Sequence, residues 1–303
     1  MIRAHPYGVN GCTDSNAGRA MRKPVIAESG SNIGRNPHEQ NPMIQTASLC
    51  LRVAALTHVG LRRRSNEDCI AIGSRVLTEP MDEPWLSVQS LQPACACLVA
   101  DGMGGHPAGE VASRAAIESM LSGLAHVEPE AADLDALLRE TNRFLFTEMA
   151  RCPHWYGMGT TLAGIVTGPE RLIAFNVGDS RIYRIEQSGV KQLSVDDSEA
   201  VGMGLLFSRL PARVLSQCLG GFPDTAELDP HLVELPLVEG SRYLICSDGL
   251  HDMLSDAEIS GCLDPDPART VAALFEAAMD EGGIDNISIV VAGVEREQSQ
   301  DRL

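Results

Sequence analysis

Four short acidic motifs, far apart in the chain, hold the residues best suited to chemistry. They are Asn-Glu-Asp at 66–68, Asp-Gly-Met-Gly-Gly-His at 101–106, Ser-Asp-Gly-Leu-His-Asp at 247–252 and Asp-Asn at 285–286. Apolar runs typical of β-strands precede the second and third motifs, and another follows the fourth. A carboxylate buried at such a position is costly unless it is paired or bound to a metal. Several carboxylates gathered beside glycines at one sheet edge would suit a hard divalent cation.

The elements that must position these motifs follow from hydrophobic periodicity. Strands are predicted at 49–58, 69–73, 85–88, 94–100, 160–166, 172–177, 181–185, 231–236, 242–246 and 284–293. Helices are predicted at 109–125, 134–149, 255–262 and 267–281, and the stretch 195–215 is predicted to be irregular. The order of strands, two long helices, strands, helices and a last strand predicts an α+β fold, with two packed sheets between helical layers.

The chain of 303 residues divides by composition into three parts. Residues 1–46 are rich in Asn, Gly, Pro and Ser and show no periodicity, so a disordered extension is predicted there. A catalytic domain is expected over 47–295, followed by a flexible tail at 296–303. The first thirty residues lack the apolar segment of a signal peptide, and no apolar run is long enough to span a bilayer. A cytoplasmic protein is therefore expected.

Charge and cysteine content narrow the class of protein further. The formal net charge of -17 argues against a nucleic-acid partner or an anionic membrane surface, and it favours cation binding. The nine cysteines contain no Cys-x-x-Cys pair, which predicts buried thiols in a reducing compartment.

Further motifs complete a pattern that runs through residues 50–293. They are Gly-Leu-Arg-Arg-Arg-Ser-Asn-Glu-Asp at 60–68, Val-Ala-Asp-Gly-Met-Gly-Gly-His at 99–106, Gly-Glu at 109–110, Met-Gly-Thr-Thr-Leu at 158–162, Asn-Val-Gly-Asp-Ser-Arg at 176–181, Ser-Asp-Gly-Leu at 247–250 and Asp-Asn-Ile-Ser at 285–288. In this order they resemble the metal-dependent serine/threonine protein phosphatases of the protein phosphatase 2C type, in their compact bacterial form. The resemblance implies a central β-sandwich of two antiparallel sheets flanked by helices, α-β-β-α, with a binuclear Mn²⁺ or Mg²⁺ site at one end.

The resemblance also implies roles for individual residues. Asp101 would bridge the two cations, Asp248 and Asp285 would bind one of them, and Glu67 with the carbonyl of Gly102 would bind the other. The implied reaction is hydrolysis of phosphoserine and phosphothreonine in proteins, by direct attack of a metal-bridging hydroxide. The implied partners are phosphoprotein substrates of a cognate serine/threonine kinase, and a monomer is expected.

Arg63 is the candidate for binding the substrate phosphate during catalysis. It stands four residues before Glu67, as the family's phosphate-binding arginine does. A guanidinium grips phosphate oxygens through two parallel hydrogen bonds. Arg62 and Arg64 are expected to point elsewhere, because neighbours on an extended segment alternate in direction.

Three more carboxylates each have two interpretations. Asp68 either holds a metal-bound water or caps the start of a strand. Asp179 and Asp252 resemble the ligands of a third, weaker metal site that shares Asp248. In the structural alternative, Asp179 closes a hairpin turn and Asp252 caps the segment that follows it.

The general acid and several departures from the family pattern stay open. His106 is a candidate acid or a loop residue, and a metal-bound water or solvent is the alternative donor. Family members typically have His where this chain has Asp197, and Arg-Ala where it has Gln217 and Cys218. His58 stands where relatives often have Asp.

Two rival functions belong to other classes. A catalytically silent, phosphoprotein-binding regulator would be expected to lose at least one metal carboxylate, whereas all four are present here. A metallophosphoesterase for small molecules would favour a deep basic pocket, yet Arg63 is the main basic candidate at the site.

Overall fold

Two six-stranded antiparallel sheets lie at the centre of the protein. The computed structural model describes residues 48–91, 94–103, 108–125, 130–168, 170–200, 213–221 and 227–297. The first sheet contains β1 (Leu49–His58), β4 (Trp85–Ser90), β9 (Arg181–Glu186), β10 (Gly189–Gln192), β15 (Arg242–Cys246) and β16 (Ile287–Arg296). Its strand order is β10-β9-β15-β16-β1-β4, and β1 pairs with β16 along its whole length.

The second sheet has the same number of strands. It contains β2 (Asp68–Ile72), β3 (Arg75–Leu77), β5 (Ala96–Asp101), β7 (Leu162–Thr167), β8 (Arg171–Val177) and β14 (His231–Pro236). The order is β14-β8-β7-β5-β2-β3. Two small pairs complete the strands: β6 (Gly159–Thr160) with β13 (Leu219–Gly220), and β11 (Ser198–Ala200) with β12 (Arg213–Leu215).

Helices cover the outer face of each sheet. The helices α1 (Gly109–Leu124) and α2 (Ala131–Arg151) pack on the second sheet, and α3 (Asp248–His251), α4 (Asp256–Gly261) and α5 (Pro267–Asp280) pack on the first. Local sequence fixes where the last two begin. The Ser255 and Glu258 side chains form a capping box on α4, and Asp266 accepts a hydrogen bond from the Ala268 N–H before α5.

Three apolar layers hold the sandwich together. One fills the space between the two sheets, including Val53, Val99 and Val290, and the other two lie under the helices. Strands buried on both faces lose polar alternation and become continuous apolar runs. The predicted α+β architecture, with two sheets between helical layers, is confirmed.

Several predictions differ from the structure in detail. The stretch predicted as irregular, 195–215, contains β11 and β12, two short strands without an alternating pattern. The predicted extension at 1–46 lies outside the described residues. The tail predicted at 296–303 begins one residue too early, because β16 includes Arg296, and its residues beyond 297 also lie outside the described ranges. The eight cysteines in the described ranges are all free; six are buried as predicted, whereas Cys152 and Cys262 are partly exposed. None of the helices in those ranges is long and apolar enough to cross a membrane.

Candidate metal centre

Two carboxylates face each other on neighbouring strands of the second sheet. Asp68 begins β2, Asp101 ends β5, and the strand register pairs them directly. Like charges directly opposite each other destabilise a sheet, and Asp68 is only 1% exposed. This arrangement therefore requires protons or cations to balance it.

Two more carboxylates come from the first sheet at the same end of the sandwich. Asp248 opens α3 immediately after β15, and Asp285 stands just before β16. Because β15 and β16 are paired, the two loops are neighbours. The sequence-predicted carboxylates thus come together from both sheets.

A serine connects the two pairs of carboxylates across the sandwich. The Ser247 hydroxyl donates to Oδ2 of Asp68 at 2.9 Å and accepts from the Ser288 N–H at 3.0 Å. The Ser288 and Thr57 hydroxyls are hydrogen-bonded at 2.8 Å. These buried hydroxyls fix the first sheet's loops against Asp68.

Asn286 organises the backbone around the site. Its Oδ1 accepts from the Glu67 N–H at 2.8 Å. Its Nδ2 donates to the carbonyls of Val59 at 3.1 Å and Ser65 at 2.9 Å. One side chain therefore ties the turn that carries Glu67 to the loop that carries Asp285.

The Met-Gly-Thr-Thr motif holds the backbone of Asp101. The Asp101 carbonyl accepts hydrogen bonds from the Thr160 hydroxyl at 2.8 Å and from the Thr161 N–H at 2.9 Å. The Asp101 N–H donates to Thr161 Oγ1 at 3.1 Å. The Thr161 and Ser180 hydroxyls are in turn hydrogen-bonded at 2.7 Å. The motif's two threonines thus act on the catalytic candidate through its main chain.

Glu67 and Gly102 lie against the start of α1. The Gly102 N–H donates to the Glu67 carbonyl at 3.2 Å, and a Cβ at Gly102 would lie 2.3 Å from the Gly109 carbonyl oxygen. A Cβ at Gly109 would lie 3.0 Å from Oε2 of Glu67. The Glu67 carboxylate therefore sits beside the positive end of the helix dipole. Gly104, Gly105 and His106 lie outside the described residues.

Arg63 makes an ion pair with one of the carboxylates. Its Nη2 lies 2.6 Å from Oδ2 of Asp285, and the two side chains are 40% and 31% exposed. This hydrogen bond is the main reason that the pKa of Arg63 is raised. Arg63, the predicted phosphate-binding residue, thus lies at the edge of the cluster of carboxylates and is partly exposed to solvent.

Burial raises the pKa of the carboxyl groups at this end of the sandwich. Asp68 has its pKa raised to about 6, chiefly by burial. The pKa values of Asp101 and Asp248 are raised well above the ordinary range by burial and then by neighbouring aspartates. Burial also raises the pKa of Glu67, against the lowering effect of Arg63.

These residues fit a binuclear cation site in chemistry. The Oδ1 atoms of Asp68 and Asp248 are buried without a hydrogen-bond partner, and such acceptors are costly unless a proton or cation neutralises them. In the described ranges, no three His, Cys, Asp or Glu side chains meet closely enough to form a complete ligand set by themselves.

The candidates for a third site lie at the edge of this group. Asp179 is 8% exposed in the turn between β8 and β9, and its carbonyl accepts a hydrogen bond from the ring of His251 at 3.0 Å. Asp252 follows the last residue of α3 and is its C-cap. The suggestion that Asp252 caps the following segment is wrong, because Ser255 caps α4.

The departures from the family pattern have local structural roles. Asp197 accepts hydrogen bonds from the Gly178 N–H at 2.9 Å and from the Gln217 amide at 2.9 Å, and it contacts His231 Nε2 at 2.8 Å. Nδ1 of His58 accepts from the Gly60 N–H at 3.0 Å. The partners of His58 and His231 cannot be inferred from sequence, because both contacts depend on the folded turns.

Comparisons with known proteins agree with this geometry. The family described as Protein phosphatase 2C matches residues 80–287. Serine/threonine protein phosphatase PstP of Mycobacterium tuberculosis is 34% identical over 262 residues, which cover 82% of this chain and 46% of the relative. Serine/threonine phosphatase stp of Listeria monocytogenes is 30% identical over 219 residues, covering 67% of this chain and 85% of the relative. This chain thus spans less than half the length of PstP.

A solved structure shares the fold. The crystal structure of the PstP catalytic domain in complex with two manganese ions superimposes with a TM-score of 0.65 at 33% identity, over 82% of this chain and 100% of that one. The motif order, the sandwich with its carboxylates at one end, and these matches lead to one assignment: the chain belongs to the protein phosphatase 2C family.

Proposed function

We propose that the protein is a Mn²⁺- or Mg²⁺-dependent phosphatase for phosphoserine and phosphothreonine in proteins. The observation that carries the proposal is that Asp68, Asp101, Asp248 and Asp285 all lie at one end of the sandwich, with two buried carboxylate oxygens unpartnered. Family membership and the manganese complex of PstP support the same reading.

Five groups would hold the two cations. Asp101 would bridge them, Asp248 and Asp285 would bind one, and Glu67 with the carbonyl of Gly102 would bind the other. When bound, two such cations neutralise a phosphate dianion and make hydroxide available near neutral pH. A third, weaker cation would lie near Asp179 and Asp252, and Asp68 would orient water at the site through its free Oδ1.

Arg63 would bind the substrate phosphate. Its exposed guanidinium lies beside Asp285, where an incoming phosphate would compete for its N–H groups. Because a guanidinium stays charged at any physiological pH, this role needs no proton transfer. We further propose that the enzyme acts as a monomer in the cytoplasm, on phosphoproteins of a cognate kinase; the free cysteines suit a reducing compartment.

The proposal is tested by phosphate release from a phosphothreonine peptide. We expect release with Mn²⁺, none with EDTA, and none from Asp248→Asn with Mn²⁺ present. Folding of the variant is checked by circular dichroism, since Asn keeps the shape of Asp. Tight Mn²⁺ binding by calorimetry without any release would instead favour a silent, phosphoprotein-binding regulator. Faster turnover of nucleotides than of phosphopeptides would favour a small-molecule phosphoesterase.

A further inference from the structure

A pocket opens beside the candidate metal centre. Its volume is about 410 Å³, and it lies between the turn after β1, the loop after β3 and the first turns of α1. The lining residues with chemical function are Arg64, Asn66, Asp68, Glu79, Glu110 and Arg114. Apart from Asp68, which would orient water at the metal site, none of these residues takes part in the proposed hydrolysis.

Two hydrogen-bond acceptors without partners lie buried behind the inner wall of the pocket. The Asn66 amide donates to the Thr57 hydroxyl at 2.8 Å and to the Thr78 carbonyl at 3.1 Å, which leaves its buried Oδ1 without a donor. Asp68 is 1% exposed, and Ser247 occupies only its Oδ2. The two oxygens are themselves out of a ligand's reach, but they make the potential in the pocket more negative, which favours a cationic ligand.

The charges around the pocket favour a cationic ligand. Among the described residues, Glu79 and Glu110 have no ion-pair partner, whereas Arg114 pairs with Glu118 at 2.8 Å. Arg64 alone contributes a cation without a described acidic partner. The negative charge of the two unpaired carboxylates, together with the two unpartnered acceptor oxygens, therefore exceeds the positive charge of the Arg64 guanidinium.

The pocket adjoins the place proposed for the phosphate. Asp68 is the cross-strand neighbour of Asp101. Arg63 contacts Asp285, while the next residue, Arg64, lines the pocket. Consecutive Cα atoms are about 3.8 Å apart, so a peptide with its phosphate at Arg63 has residues within a few positions that reach the pocket.

We propose that this pocket binds a lysine or arginine side chain close in sequence to the phosphorylated serine or threonine, and so makes the enzyme selective for basic phosphopeptides. The proposal rests on the proposed phosphatase function. Glu79 is the residue that would determine this selectivity, because it lies at the exposed rim of the pocket. In the described ranges it forms no hydrogen bond with the loops that carry the proposed metal ligands.

The test uses phosphothreonine peptides that are identical except for one arginine, moved from position -4 to +4 in an alanine background. With Mn²⁺ present, we expect kcat/KM for at least one arginine position to exceed that of the all-alanine peptide about fivefold, through KM. In Glu79→Gln this ratio should fall close to one. Glu276→Gln, which removes an exposed carboxylate from α5, should retain it.

Other outcomes would overturn the proposal. These are equal rates for all peptides, a preference for glutamate over arginine, or an unchanged ratio in Glu79→Gln. Hydrolysis of p-nitrophenyl phosphate, which has no flanking residues, reports the phosphatase function separately. If neither substrate is hydrolysed, the phosphatase function fails, and fluorescence anisotropy with the arginine and alanine peptides still decides whether the pocket prefers a cation.

Discussion

At the scale of single residues, Arg63 has two competing roles. In the structure it neutralises Asp285, and during catalysis it would bind phosphate. The two roles are compatible because the pair is partly exposed, where an ion pair contributes only about 0–1 kcal/mol and is easily exchanged. Arg63 therefore holds Asp285 in place through an ion pair that a cation or a phosphate can readily replace.

Replacing Arg63 tests this division of roles. Arg63→Ala should raise KM for a phosphothreonine peptide about tenfold and change kcat less than about threefold, since it removes binding shared by ground and transition states. Steady-state kinetics measure the change, with Arg62→Ala as the matched control. An unaltered KM would remove Arg63 from substrate binding. Weaker Mn²⁺ binding would show instead that Arg63 serves Asp285.

His58 illustrates how a residue atypical for the family can keep a local function. Its Nδ1 accepts the Gly60 N–H, and its ring meets Phe275 edge to face with centroids 5.1 Å apart. His58→Ala should lower the free energy of unfolding by about 1 kcal/mol, the usual loss for one hydrogen bond. His58→Asp should lose less, because its carboxylate still accepts from Gly60. Urea unfolding measures both, and equal losses would refute the role of the acceptor.

At the scale of elements, sequence predicted what is local and missed what is tertiary. The bounds of β1, β14 and β15 agree with prediction because each is an extended run ended by turn residues. The strands β3, β10 and β13 were missed because two to four residues carry no period. The helix at Asp248 was missed because one turn is too short to show a helical pattern.

The candidate site divides in the same way. Motif spacing could identify the carboxylates because their chemistry depends on residue type. The Ser247 bridge to Asp68, 179 positions away, could not be predicted because two sheets must first pack. Nor could the partner of His231, since Asp197 meets it only once β14 is in place.

Close packing of α3 on the loop before β16 gives an element-scale prediction. A Cβ at Gly249 would lie 2.0 Å from the Asn286 carbonyl oxygen. Gly249→Ala should therefore cost more than about 2 kcal/mol of stability and weaken Mn²⁺ binding, because α3 must shift from the Asp285 loop. In Gly261→Ala the new Cβ meets nothing within 4 Å, so stability should change by about 1 kcal/mol or less. Similar losses in both variants, measured by thermal unfolding and calorimetry, would disprove this packing argument.

At the scale of the whole molecule, the carboxylate cluster lowers the stability of the metal-free fold and provides the charge that binds cations. A chain with net charge -17 gathers its most buried carboxylates at one end, where burial and mutual repulsion both oppose ionisation. Each such group destabilises the metal-free fold when it is charged. Bound cations oppose this penalty. A cation at free concentration [L] that binds only the folded state with dissociation constant Kd stabilises that state by RT ln(1 + [L]/Kd).

Asp68 makes that trade measurable through pH. Its pKa is raised from 3.8 to about 6 in the folded state, so the unfolded chain loses this proton first as pH rises. The resulting penalty is about 0.5 kcal/mol at pH 4, grows through pH 6 and then stays constant at about 3 kcal/mol. In EDTA, Asp68→Asn should thus be more stable than the wild type by about that full amount at pH 7.5 and by only about 0.5 kcal/mol at pH 4. With saturating Mn²⁺ at pH 7.5 the variant's advantage should shrink, because the cation favours the charged carboxylate. Urea unfolding across pH, with and without Mn²⁺, gives the difference directly. An advantage of Asp68→Asn that does not depend on pH would mean that the gain comes from packing and not from the ionised carboxylate.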